Sequence, residues 1–378
     1  MARQTERIPL LPPGPGVTQH LTLHRYGTRG ARPKAYLQAS IHADETPAMM
    51  AMHHLLERLE AADRAGKIKG EILIVPYANP IGLSQWVNES QLGRYELRGG
   101  GNFNRNWPDL SAKVAERVGD KLGEDADANV AAIRAAVLEV LGEIKPRKEL
   151  DQLRLVIARL SMDADVALDL HCDDESLMHL FLIPQHWPEG EELARLLRVH
   201  AVLLEEDSGG GSFDEFNSTL WVRLAKRFPG KAIPPVCFSG TVEFRGQGDV
   251  SDELGAQDGE ALFRFLMRRG FVEGTDGPLP DRLCEATYLN ATQTLKSPAF
   301  GILAYKVELG DTVKKGQTIA EVIDPAAAPG APRVALKAET DGIVLSRRHH
   351  KFVGIGQSVT KIVGKDALAD RVGYLLED

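Results

Sequence analysis

The chain has 378 residues, too many for one ordinary core and enough for two domains. Hydrophobic residues make up 43% and charged residues 26%, the profile of a soluble globular protein. A net charge of -8 argues against broad attraction to nucleic acid, so an anionic ligand would have to be caught by a local arginine cluster.

The opening stretch "MARQTERIPLLPPGPGV" lacks an apolar core long enough for a signal peptide, and no segment approaches about eighteen uninterrupted apolar residues. A cytoplasmic chain with no membrane span is the default expectation. Residues 1–34, rich in Pro, Gly and Arg, are expected to hold an opening strand or two. "AYLQASI" (35–41) reads as a short buried strand, and Thr46-Pro47 fits a helix start, where the missing proline N–H costs nothing. Met49, Met52, Leu55, Leu56 and Leu59 then recur at helical spacing. "EILIVPYANP" (71–80) reads as a second buried strand, residues 85–110 as polar loop, and residues 111–160 as mainly helical. Strand-like runs return at "DVALDLH" (165–171), "HLFLIP" (179–184), "HAVLLEED" (200–207) and "PVCFSGTVEF" (235–244), and "GEALFRFLMRRGF" (259–271) reads as a closing helix. Such alternation predicts an α/β fold with a largely parallel central sheet, whose ligand sites collect at strand carboxyl ends.

From about residue 284 the texture becomes β-prone and Gly-punctuated. "LKSPAFGILAYKVELGDTVKKGQTIAEVI" (295–323) repeats as "LKAETDGIVLSRRHHKFVGIGQSVTKIV" (336–363), joined by "DPAAAPGAP" (324–332). Two similar β-halves predict a small pseudo-symmetric sandwich or barrel.

Several polar residues fall near the predicted strand ends. His42 and Glu45 stand three apart at a strand-to-helix turn, where an imidazole and a carboxylate can aim at one point as zinc ligands. About one chance H-x-x-E is expected in such a chain, so the spacing alone is a weak signal. The plainer reading makes Glu45 a first-turn acid favoured by the helix dipole. A third ligand would sit at another strand end, and "ALDLHCDD" supplies His171 there. Asp169 lies on the same side of that strand, as a simple partner or as a support for a ligating imidazole. In "GRYELRGGGNFNRNWP" (93–108), Arg94, Arg98 and Arg105 with Asn102, Asn104 and Asn106 could clamp a carboxylate, or form a solvated, Asn-capped loop. Glu243 is a carboxylate inside an apolar β-run, either poised as a general base or paired with Arg245. The run Asp173, Asp174 and Glu175 is a receiver for a cationic substrate or a solvated turn. "SGGGSF" (208–213) is a lid or a plain flexible loop. Asp44 is left between capping the helix and steadying a ligand. Cys172, Cys237 and Cys284 form no close pair, which argues against a disulfide scaffold or a thiolate zinc site.

Taken in order, His42-x-x-Glu45, Arg94, Asn104-Arg105, Asp169-Leu170-His171 and Glu243, spread over residues 35 to 250, resemble the succinylglutamate desuccinylase/aspartoacylase family of the zinc carboxypeptidase superfamily. The resemblance implies a catalytic domain at 1–283 with a mainly parallel or mixed central sheet flanked by helices, and an all-β domain at 284–378. It implies that His42, Glu45 and His171 bind one zinc ion per chain, and that Arg94, preferred over Arg98, stabilises an oxyanion. It further implies that Asn104 and Arg105 hold a substrate carboxylate, and that Glu243 activates water and then protonates a leaving amine. The expected activity is hydrolysis of the amide bond of a small N-acyl amino acid or related N-acylated amine. A metallocarboxypeptidase acting on short peptides is the alternative, and a non-catalytic ligand-binding protein a more distant one. No nucleic acid or membrane partner is expected, and a homo-oligomer is left open. The tail resembles biotinyl/lipoyl-type barrel-sandwich domains through "VELGDTVKKGQTIAEV", but its "DPAAAPGAP" tip has no lysine, so neither modification is expected. The run Arg347-Arg348-His349-His350-Lys351 is read as a solvated hairpin.

Overall fold

The computed structural model describes residues 3–373 and Leu375. Nine strands form one sheet: β1 (Gln4–Pro9), β2 (His20–Gly27), β3 (Lys34–Ala39), β4 (Glu71–Val75), β5 (Val166–Asp173), β6 (His179–Leu182), β7 (Ala201–Leu204), β8 (Phe238–Gly246) and β9 (Ala286–Tyr288). Their spatial order is β1-β2-β4-β3-β5-β8-β6-β7-β9. The central run β4-β3-β5-β8 is parallel. Antiparallel pairs join β1 to β2, β2 to β4 and β8 to β6. Strands β3 and β4 are buried throughout, because helices cover both faces. That double burial explains their continuous apolar composition.

Among the described residues, seven helices of eight residues or more flank the sheet: α1 (Pro47–Arg64), α2 (Ser111–Val118), α3 (Ala126–Glu143), α4 (Glu149–Ser161), α5 (Trp187–Leu196), α6 (Phe213–Arg227) and α7 (Asp252–Arg268). The period-two alternation of each strand splits its side chains between two cores. Tyr36, Leu73 and Val75 pack with Val114, Val137, Leu153 and Trp221 of α2, α3, α4 and α6. Leu37, Ile72 and Ile74 pack with Leu55, Leu193 and Leu262 of α1, α5 and α7 on the other side. The helix expected over 259–271 begins earlier, at Asp252, because Ser251 Oγ caps it by accepting the Leu254 N–H at 3.1 Å. Strand β5 continues past His171 to Asp173.

The C-terminal repeat folds as two antiparallel sheets. Gly301 and Gly342 each open a strand, Gly301–Tyr305 and Gly342–Arg347. Gly316 and Gly356 precede the equivalent strands Thr318–Ile323 and Ser358–Val363. Leu303 and Val322 of one sheet share a core with Val344 and Ile362 of the other. This unit is joined to the large sheet in three ways. Strand β9 completes the sheet edge beside β7. Leu289, Leu345 and Val363 pack on Ala201 and Leu203. The short strand Glu175–Ser176, directly after β5, pairs with Arg347 and Ser346. No helix among the described residues is long and apolar enough to cross a membrane.

Candidate active site

The site begins at the turn after β3. Ser40 adopts a left-handed φ of +58°, which turns the chain sharply off the strand. Its Oγ donates to the Glu45 carbonyl at 2.8 Å, and the Glu45 N–H reaches the His42 carbonyl at 3.1 Å. Asn79, in the loop after β4, braces the turn by donating from Nδ2 to the Ile41 carbonyl at 2.8 Å. Gly93 supports it from above: its carbonyl accepts the Ala43 N–H at 3.0 Å, and a Cβ there would lie 2.2 Å from the Asp44 nitrogen. Pro47 occupies the first turn of α1, and no side-chain hydrogen bond caps that helix. Asp44 Oδ1 is buried without a partner among the described residues, so it does not settle into a capping bond.

His42, Glu45 and His171 converge at the carboxyl end of the parallel strands, all buried, with ligand-type atoms within 4.8 Å of one another. His42 Nδ1 lies 2.9 Å from Glu45 Oε1, and His171 Nδ1 lies 2.7 Å from Glu45 Oε2. The outer nitrogens are held elsewhere. His42 Nε2 lies 2.8 Å from Asn102 Oδ1, and His171 Nε2 lies 2.8 Å from Asp169 Oδ2. Both acceptors are oxygens, so both Nε2 atoms donate. His42 Nδ1 accepts from Arg94 NH1 at 3.3 Å, whereas His171 Nδ1, facing the Glu45 carboxylate, carries a second hydrogen that a bound cation would displace. Asn104 Nδ2 also stands 3.1 Å from His171 Nε2 and 3.1 Å from Asp169 Oδ2. Two N–H groups cannot bond each other, so both donate to the Asp169 carboxylate. Asp169 is anchored in turn by Gln38 Nε2 at 2.9 Å, and Tyr36 donates to Gln38 at 2.8 Å. Two imidazole Nδ1 atoms and a carboxylate with buried supporting acceptors form a donor set that fits a divalent cation such as zinc.

Electrostatics follow the same geometry. Burial depresses His42 to about 4, against the pull of Glu45. For His171 burial acts downward too, but Asp169 and Glu45 outweigh it and lift the imidazole well above its ordinary range. Burial alone would raise Glu45, yet His171 and His42 hold its carboxyl below the usual range. Glu243 is the register partner of His171 on the adjacent strand β8. Burial lifts it to about 8, with His171 opposing and Glu45 reinforcing the shift. Arg245 is not its partner: a left-handed φ of +58° breaks the alternation, and Arg245 pairs with Asp258 across 3.2 Å.

Arg94 extends from the loop over the triad, with NH1 3.4 Å from Glu45 Oε1 and 3.3 Å from His42 Nδ1. Arg98 points elsewhere, to Glu96 at 3.1 Å and Glu149 at 3.0 Å. Asn104 stands in the site, but its amide is engaged inside the protein. Its Oδ1 accepts from Trp107 Nε1 at 3.1 Å and from the Phe213 N–H at 2.9 Å, while Nδ2 serves Asp169. Its amide thus hydrogen-bonds to the carboxylate that also holds His171. Arg105 is buried beside it and donates to the Asn104 carbonyl at 3.0 Å. The glycine-rich segment after Asp207 is tied to this loop, its Gly210 and Gly211 carbonyls accepting from Asn106 at 3.1 Å and Trp107 at 3.0 Å.

The acidic run at the end of β5 meets basic side chains of the C-terminal unit. Lys361 Nζ lies 2.5 Å from Asp173, and Lys351 Nζ and Arg347 Nε lie 2.6 and 3.3 Å from Glu175. The basic run read as a solvated hairpin is therefore partly an intramolecular counter-charge.

Sequence reasoning did not assign three polar groups here. Asn102 was one of several loop amides, and nothing local marks it as the His42 partner. His179 opens β6, which runs antiparallel to β8, so its first residue and not its last reaches the site edge. Lys361 stands 188 positions from Asp173.

Residues 31–136 match the family model of the succinylglutamate desuccinylase/aspartoacylase catalytic domain. The chain is 27% identical over 352 residues to N-alpha-acetyl-L-2,4-diaminobutyric acid deacetylase of Halomonas elongata, covering 88% of this chain and 83% of the relative. Its fold is similar to that of a Shewanella amazonensis protein assigned to the succinylglutamate desuccinylase/aspartoacylase family. The TM-score is 0.83 and the identity 23%, over 96% of this chain and 98% of the other. It is also similar to a product-bound ectoine utilization protein of Ruegeria pomeroyi, with a TM-score of 0.67 and 18% identity over 97% and 96% of the two chains. Residues 31–136 are thus similar to the succinylglutamate desuccinylase/aspartoacylase catalytic domain, and the chain shares the fold of solved proteins placed in that family.

Proposed function

We propose that this protein is a zinc-dependent amide deacylase, which removes the acyl group from a small N-acyl amino acid or related N-acylated amine. The observation that carries the reading is the hydrogen-bond pattern of the triad. Asn102 and Asp169 take the two Nε2 hydrogens, so that both Nδ1 atoms turn to Glu45, where a cation could draw on their lone pairs, with Glu243 on the adjacent strand. The family match and the deacetylase relative support the amide-cleaving class.

In this reading His42, Glu45 and His171 hold the metal. A bound zinc ion would supply Lewis acidity, lowering the pKa of a nearby water towards ~7 and polarising the amide carbonyl. Glu243 takes a proton from the attacking water and returns it to the amide nitrogen. Its burial beside the triad raises its proton affinity into the range suited to both steps. Arg94 faces the carbonyl oxygen as negative charge develops, a role in which one donor is worth about 10²–10³ in rate. Arg105 receives the substrate carboxylate, and Asn104 with Asp169 keeps His171 in its ligating orientation. Residues 1–283 carry the chemistry, and the β unit built from residues 292–363 reaches the site through Lys361.

Two measurements test the proposal. Metal analysis of the purified chain should find about one zinc per chain, as such sites require. A panel of N-acyl amino acids and short peptides, read by amine release, should show turnover of the acylated amino acids. Cleavage of peptides alone would favour the carboxypeptidase reading, and ligand binding without hydrolysis the non-catalytic one.

A further inference from the structure

The functional row across the sheet does not end at Glu243. His171 of β5 is the register partner of Glu243 on β8, and Glu243 is the register partner of His179 on β6. Register partners on neighbouring strands present side chains on the same face. His171, Glu243 and His179 therefore stand side by side, with the candidate metal site at one end and His179 at the other.

His179 is fully buried. Its Nδ1 lies 2.9 Å from the Leu177 carbonyl and 3.2 Å from Ser176 Oγ. The Ser176 hydroxyl has acceptors of its own, the carbonyls of Leu177 at 2.9 Å and Leu345 at 3.2 Å. Nδ1 thus carries the ring hydrogen, and Nε2 of the neutral imidazole is a bare acceptor. Burial keeps the ring neutral, with its pKa near 4. Nε2 has no partner among the described residues, and neither has Glu243 Oε2. Buried acceptors are almost always paired in native proteins. Two buried polar atoms on neighbouring strands, both without a partner among the described residues and one of them a bare acceptor, leave a place for an N–H group. Lys361, a cation at that edge, is occupied by Asp173 at 2.5 Å.

We propose that His179 is a substrate-contacting residue whose Nε2 accepts the N–H of the scissile amide, and then of the departing amine, on the side of Glu243 away from the metal ligands. This rests on the deacylase reading above. The layout gives the proton a direction. A carbon–oxygen bond forms to the attacking water while one of its protons passes to Glu243. The carbon–nitrogen bond breaks as Glu243 delivers that proton to the nitrogen. The other water proton leaves with the new carboxylic acid and ionises to the amine. During this transfer the nitrogen already bears one hydrogen, which needs an acceptor while the lone pair turns towards Glu243. His179 Nε2 is that acceptor.

The test compares an amide substrate with the ester analogue of the same acyl group, whose leaving oxygen has no hydrogen to donate. His179→Leu should lower kcat/KM on the amide about 10-fold more than on the ester, as expected for one lost hydrogen bond to a buried group. Zinc content should stay at the wild-type level. His179→Gln, which keeps an acceptor oxygen, should restore most of the amide-to-ester ratio, and His179→Met replaces the leucine variant if that does not fold. An equal loss on both substrates, or no rescue by glutamine, overturns the inference and leaves the deacylase reading standing. A wild-type protein that cleaves neither substrate in the panel overturns both.

Discussion

Lys361 of the C-terminal unit places its Nζ 2.5 Å from Asp173 Oδ2, two residues beyond His171 on the strand that carries it. The contact links the end of the chain to the catalytic sheet, and Coulomb attraction to Asp173 lifts the lysine above its ordinary range against the cost of burial. Both side chains are partly exposed, so the pair lies between the ranges for surface and buried ion pairs. Lys361→Met should destabilise the folded chain by about 2 kcal/mol. Asp173→Asn in the same background should add little. Urea unfolding of the two single variants and the double variant measures the coupling, and additive effects would show that the contact contributes nothing.

The triad and Glu243 should separate metal binding from turnover. His42→Ala or His171→Ala removes one of three ligands, and zinc content should fall well below one per chain. Glu243→Gln should retain the metal and lose about 10²–10⁴ in kcat. Metal analysis beside amine-release kinetics distinguishes the two classes. A small kinetic effect of Glu243→Gln would remove it from proton transfer.

Asp169 touches no substrate in the proposed arrangement, yet it holds the outer nitrogen of His171 at 2.8 Å. Asp169→Asn leaves all three ligands in place and should weaken zinc affinity about 10–100-fold. Competition with a chelator of known affinity reads the change directly. An unchanged affinity would make Asp169 a packing residue.

Gly93 has no room for a side chain against the turn that presents His42 and Glu45. Gly93→Ala should push that turn away, costing about 1–3 kcal/mol of stability and lowering zinc occupancy at limiting metal. Thermal melting and metal titration together check it. A variant with wild-type melting and metal binding would mean that the loop yields freely.

Glu215, at the start of α6, has its carboxyl raised by burial and then by Asp214, to about 7 from an ordinary 4.5. The folded chain therefore holds a proton that the unfolded chain releases. This stabilising contribution is fully present below about 4.5 and is lost as pH rises through about 7. Glu215→Gln keeps an acceptor for the Ser208 N–H and does not ionise. It should melt like the wild type at pH 5 and higher than the wild type at pH 8. Parallel melting curves across that range would exclude Glu215 as a source of pH dependence.

The sequence by itself determined the alternation of buried strands and helices, the internal C-terminal repeat, and the order of the residues that now surround the triad. Those features are local. A strand buried on both faces must be apolar throughout, and a turn that carries His42 and Glu45 shows its spacing within a few positions. The tertiary structure alone decided how the polar groups are shared. Asn104 read as one amide of a polar loop, and only strand β5 brings Asp169 and His171 to its Nδ2. Arg245 looked like a partner for Glu243 by alternation, until one left-handed residue turned it towards Asp258. The acidic run after His171 read equally as a cation receiver or a solvated turn. Its partners Arg347, Lys351 and Lys361 come from a β unit far along the chain. His179 escaped because strand direction, which no local pattern records, put the beginning of β6 beside the end of β8. Spacing along a chain reports what one segment can present, whereas hydrogen bonds and ion pairs depend on which segments the sheet order makes neighbours.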